Sequence, residues 1–519
     1  MENRRTINSI RNFSFVIVEQ IIHNVIAFIC RTIFVITLGK TYLGFNGLFS
    51  DVLNLLSLAE LGVGTAITFF MYKPTADKNY IKVTAYLNYY RMIYRYIGII
   101  IFLVGLMIAP FIHLLVSDID GISNLYIIYI LFLSNSTISY FFSYNKSILI
   151  TQQKNYIISI VYMITIFLQN VFQIVFLLLF ENYILYLIIQ ILFTFINNLI
   201  IHIYVNRKYS FLKKYKNSKL TVEETSLLKS NIKALFLSKI SSVVVTSTDN
   251  ILISKFVSTV LLGVYSNYTL FINMIKTIIT KLFDSIIGSV GNLVSSESND
   301  KSLKIFNNLL FGNFWIVSYS SIMLFIFINP FIKLWIGEDY LLDIYTVLLI
   351  TINLYMRLMR NTLLSFIDTN GLFNEMKIKN ICEAIINLIV SLILVHYFKL
   401  GIFGVLLGTF ISNLVTNFWY EPFILFRKCF LSKATFYFVD IIKYLCISTL
   451  MSLVLYFLNE RIGYCDNFVN LGARILLFSI IINLCYFIIF IKSEKLKYFI
   501  NSFRNILKRA DSKLISNKF

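Results

Sequence analysis

Six basic residues stand inside long apolar runs: Arg31, Lys239, Lys276, Lys281, Arg357 and Arg360. At the centre of a bilayer each costs about 3 kcal/mol on insertion scales, so such residues usually face a polar interior and mark function. Arg357 and Arg360 are three residues apart and share one helix face. Cations outnumber the acids that could neutralise them. That surplus suits a cationic cavity between two halves of the chain, holding a phosphate or pyrophosphate. Arg31, Lys239, Lys276, Arg357 and Arg360 are the candidates for it. The competing explanation is structural pairing, as between Lys281 and Asp284 on one helix face. Arg95, Lys443 and Arg474 lie near the ends of apolar runs, where long side chains snorkel to the interface.

Two embedded carboxylates invite a second kind of chemistry. Glu60 sits in SLAELGVGTA and Asp249 in TSTDNILIS, with Asp51 and Asp284 also in apolar surroundings. A carboxylate at membrane depth either binds a coupling proton or sodium ion or pairs with a nearby cation. Motifs for catalysis are missing: the chain has no GxSxG, P-loop, HExxH or paired-carboxylate pattern. The six cysteines show no metal spacing, and five lie in or beside apolar runs, where cysteine packs as a small hydrophobe. The expectation is a protein that is not an enzyme and carries no metal or cofactor.

The elements that position these groups follow from composition. The chain is 58% hydrophobic and 14% charged, with mean hydropathy +0.77. A soluble domain carries about 25% charged residues, so lipid is the solvent here. A spanning helix needs about 20 mostly apolar residues. About fourteen segments qualify: 13–38, 48–72, 92–117, 123–146, 157–180, 184–206, 234–257, 262–292, 304–328, 343–367, 381–398, 402–426, 438–458 and 471–491. The expected fold class is all-α, a polytopic membrane protein. Gly62-Val63-Gly64 and Lys73-Pro74 predict a second span that packs closely and then stops.

Of the 46 Lys and Arg residues, 32 fall in loops and termini on one side and five on the other. Basic residues collect on the cytoplasmic side, which puts both termini in the cytoplasm. The same asymmetry explains the net charge of +20 without nucleic acid as a partner. The N-terminus runs straight into a full-length span and does not read as a cleaved signal peptide. The basic tail from Lys492 suits anionic lipid.

The chain also repeats itself. Leu43-Gly44-Phe45 and Asn54 map onto Leu262-Gly263-Val264 and Asn273 at an offset of 219. Pro110-Phe111-Ile112 maps onto Pro330-Phe331-Ile332 at 220. The expected organisation is a six-helix lobe at 1–206, a basic cytoplasmic linker at 207–233, and a second six-helix lobe at 234–426. An appended helix pair with a basic tail follows at 427–519. Six helices per copy make the repeats parallel, related by an axis along the membrane normal.

Three stretches carry a family resemblance: LGKTYLGFNGLFSDVLNLLSLAELGVGTAI with YKP, STDNILISKFV with LGVYSNY, and PFIKLWIGEDYLL. They resemble the Wzx-type polysaccharide repeat-unit flippases of the MATE-like MOP exporter superfamily, which also holds the lipid II flippases. The resemblance implies a carrier of two six-helix lobes plus two C-terminal helices in a bacterial cell membrane. Its implied substrate is an undecaprenyl-pyrophosphate-linked oligosaccharide, moved to the outer leaflet by alternating access for capsule or exopolysaccharide assembly. A polysaccharide polymerase and other assembly proteins are the implied partners. A lipid II flippase is the nearest alternative. A MATE-type drug/cation antiporter, or a membrane polymerase or ligase acting on the same lipid, is more distant.

Overall fold

The computed structural model describes residues 2–60, 62–116, 124–296, 298–463 and 465–501; the side chains up to 19 and at 21, 59, 234, 237–242, 245–246, 284–296 and 373–374 are outside the description. Among the described residues every regular element is helical. In chain order these begin with α1 (Glu2–Leu56), α2 (Val63–Ala76), α3 (Tyr80–Ile108), α4 (Leu125–Tyr140), α5 (Lys146–Thr151) and α6 (Asn155–Phe180). Then come α7 (Tyr183–Lys208), α8 (Phe211–Lys214), α9 (Val222–Phe256), α10 (Thr259–Ser296), α11 (Asn299–Ile336) and α12 (Ile344–Met359). The chain closes with α13 (Asn361–Thr369), α14 (Phe373–His396), α15 (Gly401–Val415), α16 (Asn417–Leu425), α17 (Thr435–Ile462) and α18 (Phe468–Phe490). Ten stretches among the described residues are long and apolar enough to cross a membrane. The protein is a polytopic all-α membrane protein.

Polar residues set the helix ends. Asn79, Asn182, Asp343 and Asn467 each accept a backbone N–H of the first turn of α3, α7, α12 and α18. Thr221 and Glu224 cap α9 reciprocally. Such caps satisfy N–H groups that the helix itself leaves unpaired.

Several expected spans are broken rather than continuous. α1 is two helices fused across Gly39, which has φ 77° and ψ −168°. The expected span 48–72 is interrupted by a short 3-10 turn at Ser57–Glu60, and Gly62 at φ 87° starts α2. Only glycine takes that backbone region without strain. Lys73-Pro74 does not end the helix, which runs on to Ala76. Span 123–146 divides between α4 and α5, and span 343–367 between α12 and α13.

The helix boundaries repeat as the sequence does. Tyr80 and Asn299 start α3 and α11, and Leu125 and Ile344 start α4 and α12, both pairs 219 apart. Tyr140 and Met359, which end α4 and α12, keep the same offset.

The chain forms two compact units, Met1–Asn267 with Ala384–Val405, and Tyr268–Glu383 with Leu406–Phe519. This grouping reports packing, whereas the lobes expected at 1–206 and 234–426 describe repetition. In the first unit, α6 packs along α1 and α7 along α4. In the second, α11 is the central helix and contacts α12, α17 and α18. Its buried Phe314 stacks on Tyr444 with ring centroids 4.2 Å apart, and Ser318 shares hydrogen bonds with Ser448 and Tyr486.

Candidate functional site

The first unit contains a cavity of about 790 Å³, and two helix breaks reach it. Glu60 comes from the break between α1 and α2, and Ser143 and Lys146 come from the break between α4 and α5. Helix breaks at membrane depth are stable only where they are buried in protein or line a polar space. The second break needs Phe142 at φ 68°, a left-handed conformation that a bulky side chain seldom adopts.

Glu60 is held in place by aromatic hydroxyls. Tyr94 donates to Glu60 Oε1, and the Tyr140 hydroxyl is a second donor to the same carboxylate. Tyr90 meets Tyr94 edge-on at 4.4 Å, and Tyr94 meets Tyr140 at 5.6 Å. Lys146 lies within electrostatic reach of Glu60. A Cβ on Gly64 would come within 2.5 Å of the Tyr90 hydroxyl oxygen, so glycine there lets α2 approach the tyrosine pair. Also in the lining, Thr165 donates to Asn197 at 3.2 Å and Asn198 donates to the Ser139 carbonyl at 3.2 Å.

The other expected site residues fall into separate places. Arg31 is half-buried in the first unit, where it donates to Asn267 Oδ1 at 3.1 Å and to Ser266. Asp249 is on α9, within electrostatic reach of Tyr265, as is Asp51. Asp51 accepts from Asn250 at 2.6 Å and from Ser247 at 3.3 Å. Glu60 lines the cavity; Asp249 does not. Lys239 lies on α9, but its side chain is outside the described residues, as are Asp284 and the tail beyond 501.

In the second unit, Lys276 on α10 and Arg357 on α12 lie within electrostatic reach of each other. The ion pairs of that unit among the described residues use Lys333, Arg360, Lys379, Lys428 and Lys495, and neither Lys276 nor Arg357 is among them.

Arg360 corrects the expectation. It is not an unpaired cavity cation. Its Nε donates to Glu421 Oε2 at 2.9 Å, its Nη2 pairs with Oε1, and its Nη1 reaches Asn413 at 3.3 Å. Lys379 donates to the same Glu421 at 2.9 Å and to Glu383 at 3.3 Å. Asn417 donates to Glu383 at 2.7 Å and to Asn413 at 2.6 Å. Two cations and two acids thus neutralise one another around a fully buried Glu421. Lys379, read from the sequence as a loop charge, is buried in α14. Sequence reasoning missed Glu383 and Glu421 although both stand inside expected spans; the acid in NFWYEPFIL was the available signal.

This cluster occupies the repeat-equivalent place of one wall of the cavity. Asn413, Asn417 and Glu421 lie 219 residues after Thr194, Asn198 and His202, and Arg360 lies 219 after Phe141. Thr194 and Asn198 line an open cavity in the first unit. Their counterparts in the second unit are tied together by ion pairs and amide hydrogen bonds.

Known structures match this arrangement of helices. The fold is that of the MOP-superfamily transporters. An inward-facing multidrug resistance MATE family transporter of that superfamily aligns with a TM-score of 0.61 at 15% identity, over 78% of this chain and 94% of its own. The lipid II flippase MurJ, in an inward closed conformation, aligns with a TM-score of 0.63 at 16% identity, over 94% of this chain and all of its own. A Vibrio cholerae MATE transporter aligns at 0.57 and 13%, over 83% and 98%. No protein-family model and no curated protein sequence matches the chain. At these identities the likeness to MOP-superfamily transporters is one of fold.

Proposed function

We propose that the protein is a flippase that moves undecaprenyl-pyrophosphate-linked oligosaccharide repeat units from the inner to the outer leaflet. The observation that carries this reading is the extent of the match to a lipid flippase. MurJ's whole length aligns over 94% of this chain, whereas the MATE structures align over about 80%. Cations at membrane depth agree with an anionic lipid headgroup. Lys276 and Arg357 stand within electrostatic reach of one another, and a pyrophosphate between such groups would relieve their repulsion. Within the first unit, Arg31 is a separate phosphate-contact candidate on its depth in the first span, and Glu60 is the candidate carboxylate for a coupling ion. An inside-negative potential favours outward movement of the substrate, by about 2.3 kcal/mol per charge per 100 mV.

Depletion of the protein in its host, followed by mass spectrometry of undecaprenyl-linked lipids, tests this directly. Accumulation of a complete repeat unit with loss of surface polymer is the expected result. The MurJ alignment also favours a second reading, movement of lipid II itself; accumulation of lipid II with lysis would select it. An unchanged lipid pool would overturn both.

A further inference from the structure

We infer that the cavity between the two helix breaks of the first unit is a carbohydrate subsite that takes an uncharged pyranose ring. The inference rests on the oligosaccharide reading above and adds which part of the substrate is held there.

The wall chemistry carries it. Five tyrosines, three carboxamides and seven serine or threonine hydroxyls line the space, with one acid and one amine. The acid and the amine are within reach of each other, so together they add no net charge. Such a wall has little to offer a pyrophosphate, which calls for clustered cations. It has equally little for a lipophilic cation, which calls for an unneutralised acid. A sugar ring has the complementary surface. Its axial C–H face packs on tyrosine rings, and its hydroxyls, each a donor and an acceptor, meet amide and hydroxyl groups at the ring's edge. Asn198 sharpens the demand. Its amide nitrogen is engaged by Ser139, while its buried Oδ1 has no protein donor. A buried acceptor left unsatisfied is destabilising, and a substrate hydroxyl would satisfy it once the wall opens around that oxygen. The volume is within the usual range of small-molecule sites.

The repeat gives independent support. At the equivalent place in the second unit, Arg360, Asn413, Asn417 and Glu421 are joined to one another. Thr194 and Asn198, the first-unit counterparts of Asn413 and Asn417, line the cavity instead.

The test uses the full-length protein in lipid nanodiscs and saturation-transfer NMR. The probes are the methyl glycosides of glucose, galactose, N-acetylglucosamine and rhamnose, with tetraphenylphosphonium as a proton-bearing contrast and inorganic pyrophosphate, followed by broadening of its phosphorus-31 line, as a second. At least one glycoside should receive saturation on its ring protons above that of empty nanodiscs. Thr65→Trp, which fills the cavity from an exposed wall position, should abolish it. Gln169→Ala should weaken it about fivefold, the equivalent of one neutral hydrogen bond. Thermal melts of both variants establish that they are folded, and either variant alone suffices. No glycoside signal, or a signal indifferent to the folded variant, overturns the inference. A Thr65→Trp-sensitive signal from tetraphenylphosphonium or pyrophosphate alone overturns it in favour of a cation or phosphate site. Lipid accumulation on depletion without glycoside binding would sink the subsite and leave the flippase reading standing. Glycoside binding with an unchanged lipid pool would do the reverse.

Discussion

Gly44 and Gly263 hold reciprocal positions in one helix crossing. A Cβ on Gly44 would lie 2.0 Å from the Thr259 carbonyl oxygen, and a Cβ on Gly263 would lie 2.1 Å from that of Lys40. Lys40 and Thr259 are themselves 219 residues apart, as the two glycines are. Each repeat therefore presents the same residue to the same feature of its copy, the signature of a self-complementary two-fold contact. Small residues at such crossings let backbones approach where lipid provides no hydrophobic drive.

Gly44→Ala and Gly263→Ala should each destabilise the protein by about 1–3 kcal/mol, the usual cost of overpacking. Because both act on one crossing, the double variant should cost less than the sum. Melting of the detergent-solubilised protein measures all three. Additive losses would show that the two glycines act on separate contacts.

The Arg360–Glu421 pair makes a sharper prediction. Removing one member of a buried pair leaves an uncompensated charge and costs about 3–5 kcal/mol, whereas replacing both by apolar residues is often neutral. Glu421→Met alone should thus lower stability severely, and Arg360→Met with Glu421→Met should recover most of it. Lys379 and Glu383 remain to balance each other in the double variant. Equal losses in the single and double variants would contradict the pairing.

Glu60→Gln keeps an acceptor for Tyr94 and Tyr140 but removes the charge. If Glu60 binds a coupling ion, the variant should melt like the parent while transport falls about tenfold, a loss of about 1.4 kcal/mol. Measured in proteoliposomes, unchanged transport would assign Glu60 a purely structural role.

Lys276 and Arg357 should respond to anions. Inorganic pyrophosphate should raise the melting temperature of the parent protein, since a ligand that binds only the folded state stabilises it. The rise should vanish in Lys276→Ala and persist in Lys276→Arg. An identical rise in all three proteins would place the anion elsewhere.

The basic linker is docked, and its docking should depend on pH. Lys82 on α3 pairs with Glu224 at 2.7 Å, Asn88 donates to the Lys216 and Ser218 carbonyls, and Tyr80 stacks on Phe211 at 4.4 Å. The Lys82 ammonium holds the Glu224 carboxyl below its ordinary value of 4.5. A depressed carboxylate contributes stability that is present above the ordinary value and lost as pH falls through the depressed one. Protection factors across 210–221, with the intrinsic pH dependence of exchange divided out, should therefore be constant at neutral pH and fall only as pH drops below the ordinary carboxylate value. Exposed pairs contribute at most about 1 kcal/mol, so Lys82→Ala should loosen the linker without unfolding the protein.

Much of this molecule follows from its sequence alone. Hydropathy makes lipid the solvent, because 14% charge cannot solvate a surface of this size. The recurrence of Leu-Gly and Pro-Phe-Ile at an offset of 219 or 220 reappears in the start of α3 and α11 and in both ends of α4 and α12. Glu60 is legible as a membrane-embedded acid because a lone carboxylate in an apolar run is costly wherever it points. The helix breaks around Ser57–Glu60 and Ser143–Asn145 fall inside runs that hydropathy reads as continuous: Gly62, read as a close-packing residue, offers a turn signal at the first, and Phe142 offers none at the second. What tertiary structure alone decided is which charges meet. Hydropathy reports how deep a residue lies, not which way it faces around the helix axis. Arg360 and Glu421 are 61 residues apart, and Lys379 and Glu421 are 42 apart. Only packing brings them within reach, tying together in the second unit a cluster with Asn413 and Asn417, whose repeat counterparts Thr194 and Asn198 line a cavity in the first.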